Sequence, residues 1–200
     1  QLLPTHDVFD ETRYFRPAQF LEPMVLNINE TSWRLGITIC EDLWVEEELQ
    51  GHRVTGPDPI ANLTHQNIDL LINLSASPFS HNKENLRQEL ASKAAKRLNC
   101  PVIYLNQIGA NDELIFDGSS FVLNAKAAMV LKLPSCEKAL SVWNPITQLQ
   151  STYISSSTPQ EQLFKALVLG VHDYAQKCGF TSALIGLSGG IDSALVTTIA

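Results

Sequence analysis

The segment Gly186–Ser193 reads Gly-Leu-Ser-Gly-Gly-Ile-Asp-Ser and joins an apolar run to a helical pattern. Glycines let backbone N–H groups approach an anion without an intervening Cβ atom, and a helix N-terminus adds partial positive charge. Asp192 is the expected Mg²⁺ ligand, since a carboxylate beside phosphates favours a divalent cation. We therefore predict a phosphate-binding turn, with Asp192 as its metal ligand, made by Gly186, Leu187, Ser188, Gly189, Gly190, Ile191, Asp192 and Ser193.

The turn is not a Walker A loop, because GxxxxGK[ST] is absent. A loop without that lysine fits a reaction in which pyrophosphate leaves. Two other interpretations of the turn remain. Gly186–Gly190 also satisfies G-x-S-x-G, the nucleophile elbow of α/β-hydrolases. That motif does not require the Asp and Ser that follow here, and a glycine-rich turn without a ligand is the remaining alternative.

Cys40 is the second candidate for chemistry, because it ends the apolar run Ile37–Ile39 and is followed by Glu41 and Asp42. Catalytic groups collect at strand ends in α/β sheets, where the loops line a crevice. A thiolate nucleophile needs a neighbouring base and a cation. Taken alone, such a cysteine is more often a buried structural thiol.

The elements that must position these residues follow from periodicity. An amphipathic helix is predicted over Lys83–Leu98, where apolar residues recur every four positions. A second helix begins at Thr158-Pro159, with Thr as N-cap and Pro in the first turn, and Gly179 ends it. A polar loop is expected over Asp7–Glu22. Strands are predicted at Met24–Ile28, Trp33–Ile39, Ile68–Leu74, Pro101–Leu105, Ser119–Leu123, Ala128–Leu133 and Thr181–Leu187.

This order of elements predicts an α/β fold with a mixed sheet, followed by the first strand–loop–helix unit of a parallel α/β domain. We expect the first domain to occupy residues 1–134 and the start of the second domain to occupy residues 159–200. Residues 135–158 change character, and Ser and Thr dominate their second half. This segment is therefore predicted to be a linker.

Composition excludes several classes of function. The net charge of −7 argues against nucleic acid as a partner, and no apolar run approaches the length of a membrane span. Four cysteines without a CxxC pair indicate reduced thiols and a cytoplasmic protein. No secretory leader is recognisable. The sequence begins without a methionine and stops inside a helical pattern, so we expect a fragment of a longer protein.

Two sequence blocks resemble a known family. Ser188–Ser193 matches the signature of the ATP pyrophosphatases, which adenylate their substrates. Upstream, Cys40, Asn73–Phe79 and Asn111–Ser120, together with Val8–Phe15, resemble the nitrilase-type glutaminase domain. Both blocks in this order are similar to the glutamine-dependent NAD synthetase family, whose hydrolase domain is a nitrilase-like α/β sandwich.

The resemblance assigns roles in the hydrolase domain. Nitrilase-type enzymes use a Glu–Lys–Cys triad; Cys40 matches the nucleophile, and the other two members would precede Gln1. Glu11 matches a supporting carboxylate. The family commonly has Tyr where this chain has His6. The glutamine-binding residues carry over onto His6, Trp44, Ser77 and Lys83.

The resemblance also implies a two-part reaction. Cys40 would release ammonia from glutamine through a thioester, and the second domain would adenylate deamido-NAD with MgATP before ammonia displaces AMP. ATP and Mg²⁺ are the implied cofactors, small molecules the implied partners, and a homo-oligomer the implied assembly. The fragment alone is expected to perform neither half-reaction. Alternatives are a nitrilase-family amidase or carbamoylase without ATP chemistry, a non-catalytic scaffold, and a related synthetase with another acceptor.

Overall fold

A computed structural model describes residues 2–3, 10–51, 56–147 and 157–200. Its helices are α1 Glu47–Gln50, α2 Pro59–Leu63, α3 Lys83–Leu98, α4 Pro159–Lys177 and α5 Ile191–Ile199, with 3₁₀ turns at Glu11–Arg13 and Cys40–Leu43. Its strands are β1 Met24–Ile28, β2 Thr31–Ile39, β3 Leu70–Ser75, β4 Val102–Asn106, β5 Ile108–Asn111, β6 Leu114–Asp117, β7 Phe121–Leu123 and β8 Met129–Lys132.

Six strands form one mixed sheet in the order β1-β2-β3-β4-β7-β8. The central strands β2, β3 and β4 are parallel, and the outer strands pair antiparallel. Parallel strands are expected in an α/β unit whose crossovers cover the sheet. Because β2, β3 and β4 end at the same edge, the residues following them, including Cys40, are brought together there.

Helix α3 covers one face of the sheet. Leu90, Ala91, Ala94 and Ala95 form its buried stripe, and the recurrence every three to four residues is why this segment folds as a helix against a core. The sheet meets this stripe with Leu71, Val102, Tyr104, Phe121 and Leu123, all nearly inaccessible to solvent. Tyr104 and Phe121 stack with ring centroids 5.0 Å apart.

The opposite face of the sheet is only partly covered. Trp143 packs beside Ile103, Val122 and Leu131 at one side, whereas Ile39, Leu74 and Leu105 are 49%, 45% and 41% exposed. These strands therefore alternate between a buried and an exposed row, as period-two geometry requires. The predicted layered α/β fold is confirmed for the described residues.

Three regions differ from expectation. The hairpin β5–β6 was not predicted, and it forms a separate two-stranded sheet. The predicted strand Thr181–Leu187 is unpaired in the described chain, and Leu184 and Leu187 are exposed. A parallel strand needs a neighbour for its backbone N–H and C=O groups, and none of the described strands lies beside it. The expected loop is broken by the turn Glu11–Arg13, and residues 7–9 lie outside the described residues.

The proposed boundaries at residues 134 and 158 stay predictions. Ser135 is buried and bridges Gly118, so the start of the predicted linker packs against the first unit. Residues 148–156 lie outside the described part of the chain.

The two faces of β3 provide a test of this packing. Leu71 is fully buried under α3, whereas Leu74 on the same strand is largely exposed. We expect Leu71→Ala to lower the free energy of unfolding by about 2–5 kcal/mol through a cavity, and Leu74→Ala by less than about 1 kcal/mol. Urea denaturation of both variants measures the difference, and equal losses would contradict the assigned faces.

Candidate active site

Cys40 sits at a strained elbow between β2 and the 3₁₀ turn that it begins. Its φ of +45° lies in the left-handed region, which a residue with a side chain rarely adopts. The buried carboxylate of Asp42 closes the turn: Oδ2 accepts from the Ile39 N–H at 2.9 Å and Oδ1 from the Leu2 N–H at 2.6 Å. Burial raises the pKa of Asp42, while these two donors oppose the rise. Asp42 therefore holds the conformation that presents the Cys40 thiol.

Opposing effects act on the Cys40 thiol. Burial is the largest and raises its pKa, and the neighbouring carboxylate of Glu41 raises it further. A hydrogen bond with the backbone N–H of Ala76 and the charge of Lys83 lower it. The net result is a raised pKa, so the thiol is mainly protonated at neutral pH and needs a base to become a nucleophile.

Lys83 begins helix α3 and faces the same crevice. Burial is the main cause that lowers its pKa, and the charge of Arg87 lowers it further. Its Nζ lies 5.5 Å from the centroid of the Trp44 ring, within the range of a cation–π contact. An open groove of about 420 Å³ adjoins the pair and is lined by Trp44, Leu49, Ser80, His81, Asn82, Lys83, Asn85, Leu86 and Glu89.

A buried ion pair supports the loop opposite Cys40. The Arg87 guanidinium forms two parallel bonds with Asp117, at 3.0 Å from Nη1 and 2.9 Å from Nη2, and these side chains are only 2% and 3% exposed. Arg87 also donates to the Ser77 hydroxyl at 3.1 Å, to the Ser77 carbonyl at 3.0 Å and to the Pro78 carbonyl at 3.1 Å. Bidentate geometry of this kind is specific to arginine.

Asn106, at the end of β4, holds the same loop from the other side. Its Oδ1 accepts from the Ser77 N–H at 2.9 Å, and its Nδ2 donates to the Ser77 carbonyl at 3.2 Å. Its own N–H donates to the Ser120 hydroxyl at 2.9 Å. Ser77 is thus fixed through both backbone groups and its hydroxyl, and with it the adjacent Ala76 N–H that faces the thiol.

The glycine-rich turn forms a second, separate site. Gly189 has φ of +84°, and the Ser188 and Ser193 hydroxyl oxygens lie 3.1 Å apart. The Gly190 N–H donates to the Ser188 hydroxyl at 3.4 Å, and Ser193 donates to the Gly190 carbonyl at 3.0 Å. A Cβ atom at Gly186 or Gly189 would meet nothing within 4 Å, so the turn is open for a ligand.

The turn fits a metal only in combination with phosphate. Asp192 lies exposed in the first turn of α5, and the described residues hold no cluster of three His, Cys, Asp or Glu side chains suited to a metal. Mg²⁺ usually binds through one or two carboxylates plus phosphate oxygens and water. Asp192 therefore suits a Mg²⁺ that is shared with a bound phosphate.

The structure brings together most of the predicted hydrolase residues. Charge and ring contacts link Cys40, Lys83 and Trp44, and Ser77 lies in the loop opposite Cys40. Glu11 lies in its own 3₁₀ turn, and within the described residues no hydrogen bond or ion pair joins it to Cys40. His6 lies outside the described residues.

Sequence reasoning gave no supporting role to Asp42, Arg87, Asn106 or Asp117. One signal was present: Arg87 follows Lys83 by four positions, one helical turn later on the same side of α3.

The chain is similar in structure to a carbon–nitrogen hydrolase from Helicobacter pylori, with a TM-score of 0.54 at 22% identity over 68% of this chain and 47% of that one. At this identity the likeness shows the fold alone, which is a mixed α/β fold like that of the hydrolase.

More specific matches cover the whole chain. It is 45% identical to the glutamine-dependent NAD(+) synthetase of Synechocystis sp. over 100% of its length and 36% of that protein. The Acinetobacter baylyi enzyme of that name is 34% identical over 99% of this chain and 35% of its own. The structure of such a synthetase from Acinetobacter baumannii in complex with ADP matches with a TM-score of 0.81 at 33% identity, over 99% of this chain and 36% of that one.

The family model NAD synthase matches residues 163–200, which include the glycine-rich turn. The chain is thus homologous along its whole length to part of the glutamine-dependent NAD(+) synthetases, and the predicted resemblance is confirmed. It spans about a third of the length of these relatives.

The opposing charges around Cys40 predict two opposite changes in thiol reactivity. Glu41→Gln removes a charge that raises the Cys40 pKa, whereas Lys83→Met removes one that lowers it. At a pH below that pKa, we expect iodoacetamide to alkylate Cys40 faster in Glu41→Gln and slower in Lys83→Met, because the thiolate is the reactive form. Peptide mapping separates Cys40 from the other thiols, and changes in the same direction would contradict the geometry.

Proposed function

We propose that this chain is part of a glutamine-dependent NAD synthetase and carries the cysteine side of its glutaminase site together with its ATP pyrophosphate loop. One observation carries the proposal: Cys40, at the end of a parallel strand, contacts the Ala76 N–H and lies within the field of Lys83. The homology of the whole chain to synthetases of this name supports the choice of reaction.

In the glutaminase half, the Cys40 sulfur attacks the side-chain amide carbon of glutamine. A C–S bond forms and the C–N bond breaks, so ammonia leaves and a thioester remains; water then releases glutamate and restores the thiol. The raised pKa of Cys40 means that a general base must take its proton. The family's Glu is proposed as that base and its Lys as the cation beside the thiolate and the oxyanion, and Glu11 is proposed as a supporting carboxylate.

The glutamine-binding groups are proposed at the rim of the same crevice. The ammonium of Lys83 suits the α-carboxylate of glutamine, because it provides a compact charge with three donors. Trp44 lies against that ammonium and restricts its position. Ser77 and His6 complete the proposed set.

In the synthetase half, the turn Gly186–Ser193 would hold the phosphates of ATP. The backbone N–H groups at the start of α5 and the hydroxyls of Ser188 and Ser193 are suitable donors. The carboxylate of deamido-NAD attacks the α-phosphorus and pyrophosphate leaves; ammonia then displaces AMP to form the amide of NAD. Mg²⁺ held by Asp192 would neutralise charge on the departing pyrophosphate.

The setting of the protein is also a proposal. No helix among the described residues has both the length and the apolarity of a membrane crossing. The acidic composition and the absence of paired cysteines in the sequence support a cytoplasmic enzyme that acts on small molecules rather than nucleic acid. Self-association is proposed from the resemblance.

Two variants of the full-length synthetase separate the two sites. Cys40→Ala removes the nucleophile, so we expect glutamine-driven NAD formation to fall by about 10³-fold or more, while ammonium-driven formation remains. Asp192→Asn removes the proposed metal ligand, so NAD formation should be lost with glutamine and with ammonium alike. The assay follows NAD formed from deamido-NAD and MgATP with either source.

The matched control is Cys178→Ala, which changes an exposed cysteine just beyond α4 and should leave both rates unchanged. If the unmodified enzyme forms no NAD from either source, the synthetase assignment fails, and an amidase without ATP chemistry replaces it. Loss of both reactions in Cys40→Ala would refute the separation of the sites.

A further inference from the structure

Helix α4 is docked closely on the hairpin β5–β6. Asp173 Oδ2 on the helix accepts from the Ala110 N–H at 2.8 Å, and Lys177 Nζ donates to the Ala110 carbonyl. Gly109 has φ of +126°, and a Cβ atom there would lie 3.0 Å from Asp173 Oδ2. One residue of the hairpin is thus held through both its backbone N–H and its C=O group by side chains of a single helix.

A second contact fixes the other strand of the hairpin. Gly170 on α4 faces Ile115 on β6 so closely that a Cβ atom would lie 2.9 Å from Ile115 Cδ1. The Ile115 carbonyl in turn accepts from the Phe79 N–H at 2.6 Å. Ile115 therefore touches α4 with its side chain and the loop after β3 with its backbone.

Strand β6 is also linked to the candidate active site by an ion pair. Two residues beyond Ile115, Asp117 holds the Arg87 guanidinium, and Arg87 binds the hydroxyl and carbonyl of Ser77. The loop opposite Cys40 thus depends on the hairpin at two points: the Phe79 N–H and the Arg87–Asp117 pair.

A third contact joins α4 to the residue beside Lys83. Gln162, in the first turns of α4, donates to Glu84 Oε2 at 3.2 Å, and Lys132 on β8 pairs with the other carboxylate oxygen of Glu84. Glu84 follows Lys83 directly at the start of α3. Helix α4 therefore contacts both the start of α3, next to Lys83, and the hairpin that supports the loop opposite Cys40.

We propose that helix α4 is a positioning element of the glutaminase site and that Asp173 is its principal positioning residue, acting through β5–β6 on the loop that faces Cys40. Most of this helix lies in the segment that matches NAD synthase. The first helix of the synthetase segment therefore also sets the geometry of the site that supplies its ammonia. The inference rests on the function proposed above.

Asp173→Ala in the full-length synthetase tests the proposal, because it removes the acceptor for the Ala110 N–H without altering any group in the crevice. We expect kcat/KM for glutamine to fall about tenfold, the scale of one lost part-buried hydrogen bond to a charged acceptor, with the ammonium-driven rate unchanged. Asp173→Asn should restore kcat/KM to within about twofold, since its amide oxygen still accepts that hydrogen bond.

The control is Glu137→Ala, which breaks the exposed ion pair of Glu137 with Lys165 on α4 but leaves the hairpin untouched; both rates should stay unchanged. If Asp173→Ala does not fold, Lys177→Met removes the donor to Ala110 at an exposed residue and should produce a smaller loss in the same direction.

Unchanged glutamine kinetics in Asp173→Ala, a parallel fall of the ammonium-driven rate, or failure of Asp173→Asn to restore activity would overturn the positioning role alone. Absence of a glutamine-driven reaction in the unmodified enzyme would overturn the proposed function, and this inference with it.

Discussion

The buried pair of Arg87 and Asp117 is the interaction on which the rest of the site depends. Removing two charges from water is costly, and the attraction between them offsets that cost only when the remaining donors and acceptors are satisfied. Here the guanidinium also binds the hydroxyl and carbonyl of Ser77 and the carbonyl of Pro78. One side chain thereby joins α3, β6 and the loop after β3, and it fixes the Ala76 N–H against Cys40.

The contacts around Cys40 fix the conformation of its backbone, but they do not keep its sulfur as a thiolate. The left-handed elbow at Cys40 is held by Asp42, and burial outweighs the effects of Lys83 and Ala76 on the thiol, so its pKa is raised. A thiol with a raised pKa becomes a nucleophile when a base takes its proton. In the proposed mechanism the crevice would orient the thiol and the substrate, and a separate group would remove the proton.

Local sequence patterns predicted some of the helices and strands. Other features of the structure depend on contacts between residues that are far apart in the chain. The helix Lys83–Leu98 and the strand Met24–Ile28 form as predicted, because periodicity and apolar runs are local signals. The hairpin β5–β6 escaped notice because its short strands flank a polar turn and carry glycine. Arg87 and Asp117 are 30 residues apart, so only the fold reveals their contact. Cys40 and the glycine-rich turn were recognisable from motifs, whereas the role of Glu11 and the domain boundaries stay predictions.

The most direct test is the glutamine hydrolysis rate of the full-length enzyme carrying Arg87→Lys. Lysine keeps the charge opposite Asp117 but lacks the forked donors that also bind Ser77 and Pro78. The account predicts that kcat/KM for glutamine falls by about two orders of magnitude, as expected when several charge-assisted hydrogen bonds are lost, while ammonium-driven NAD formation is retained. Unchanged glutamine hydrolysis would contradict the central role of this pair, and so would an equal loss of both activities.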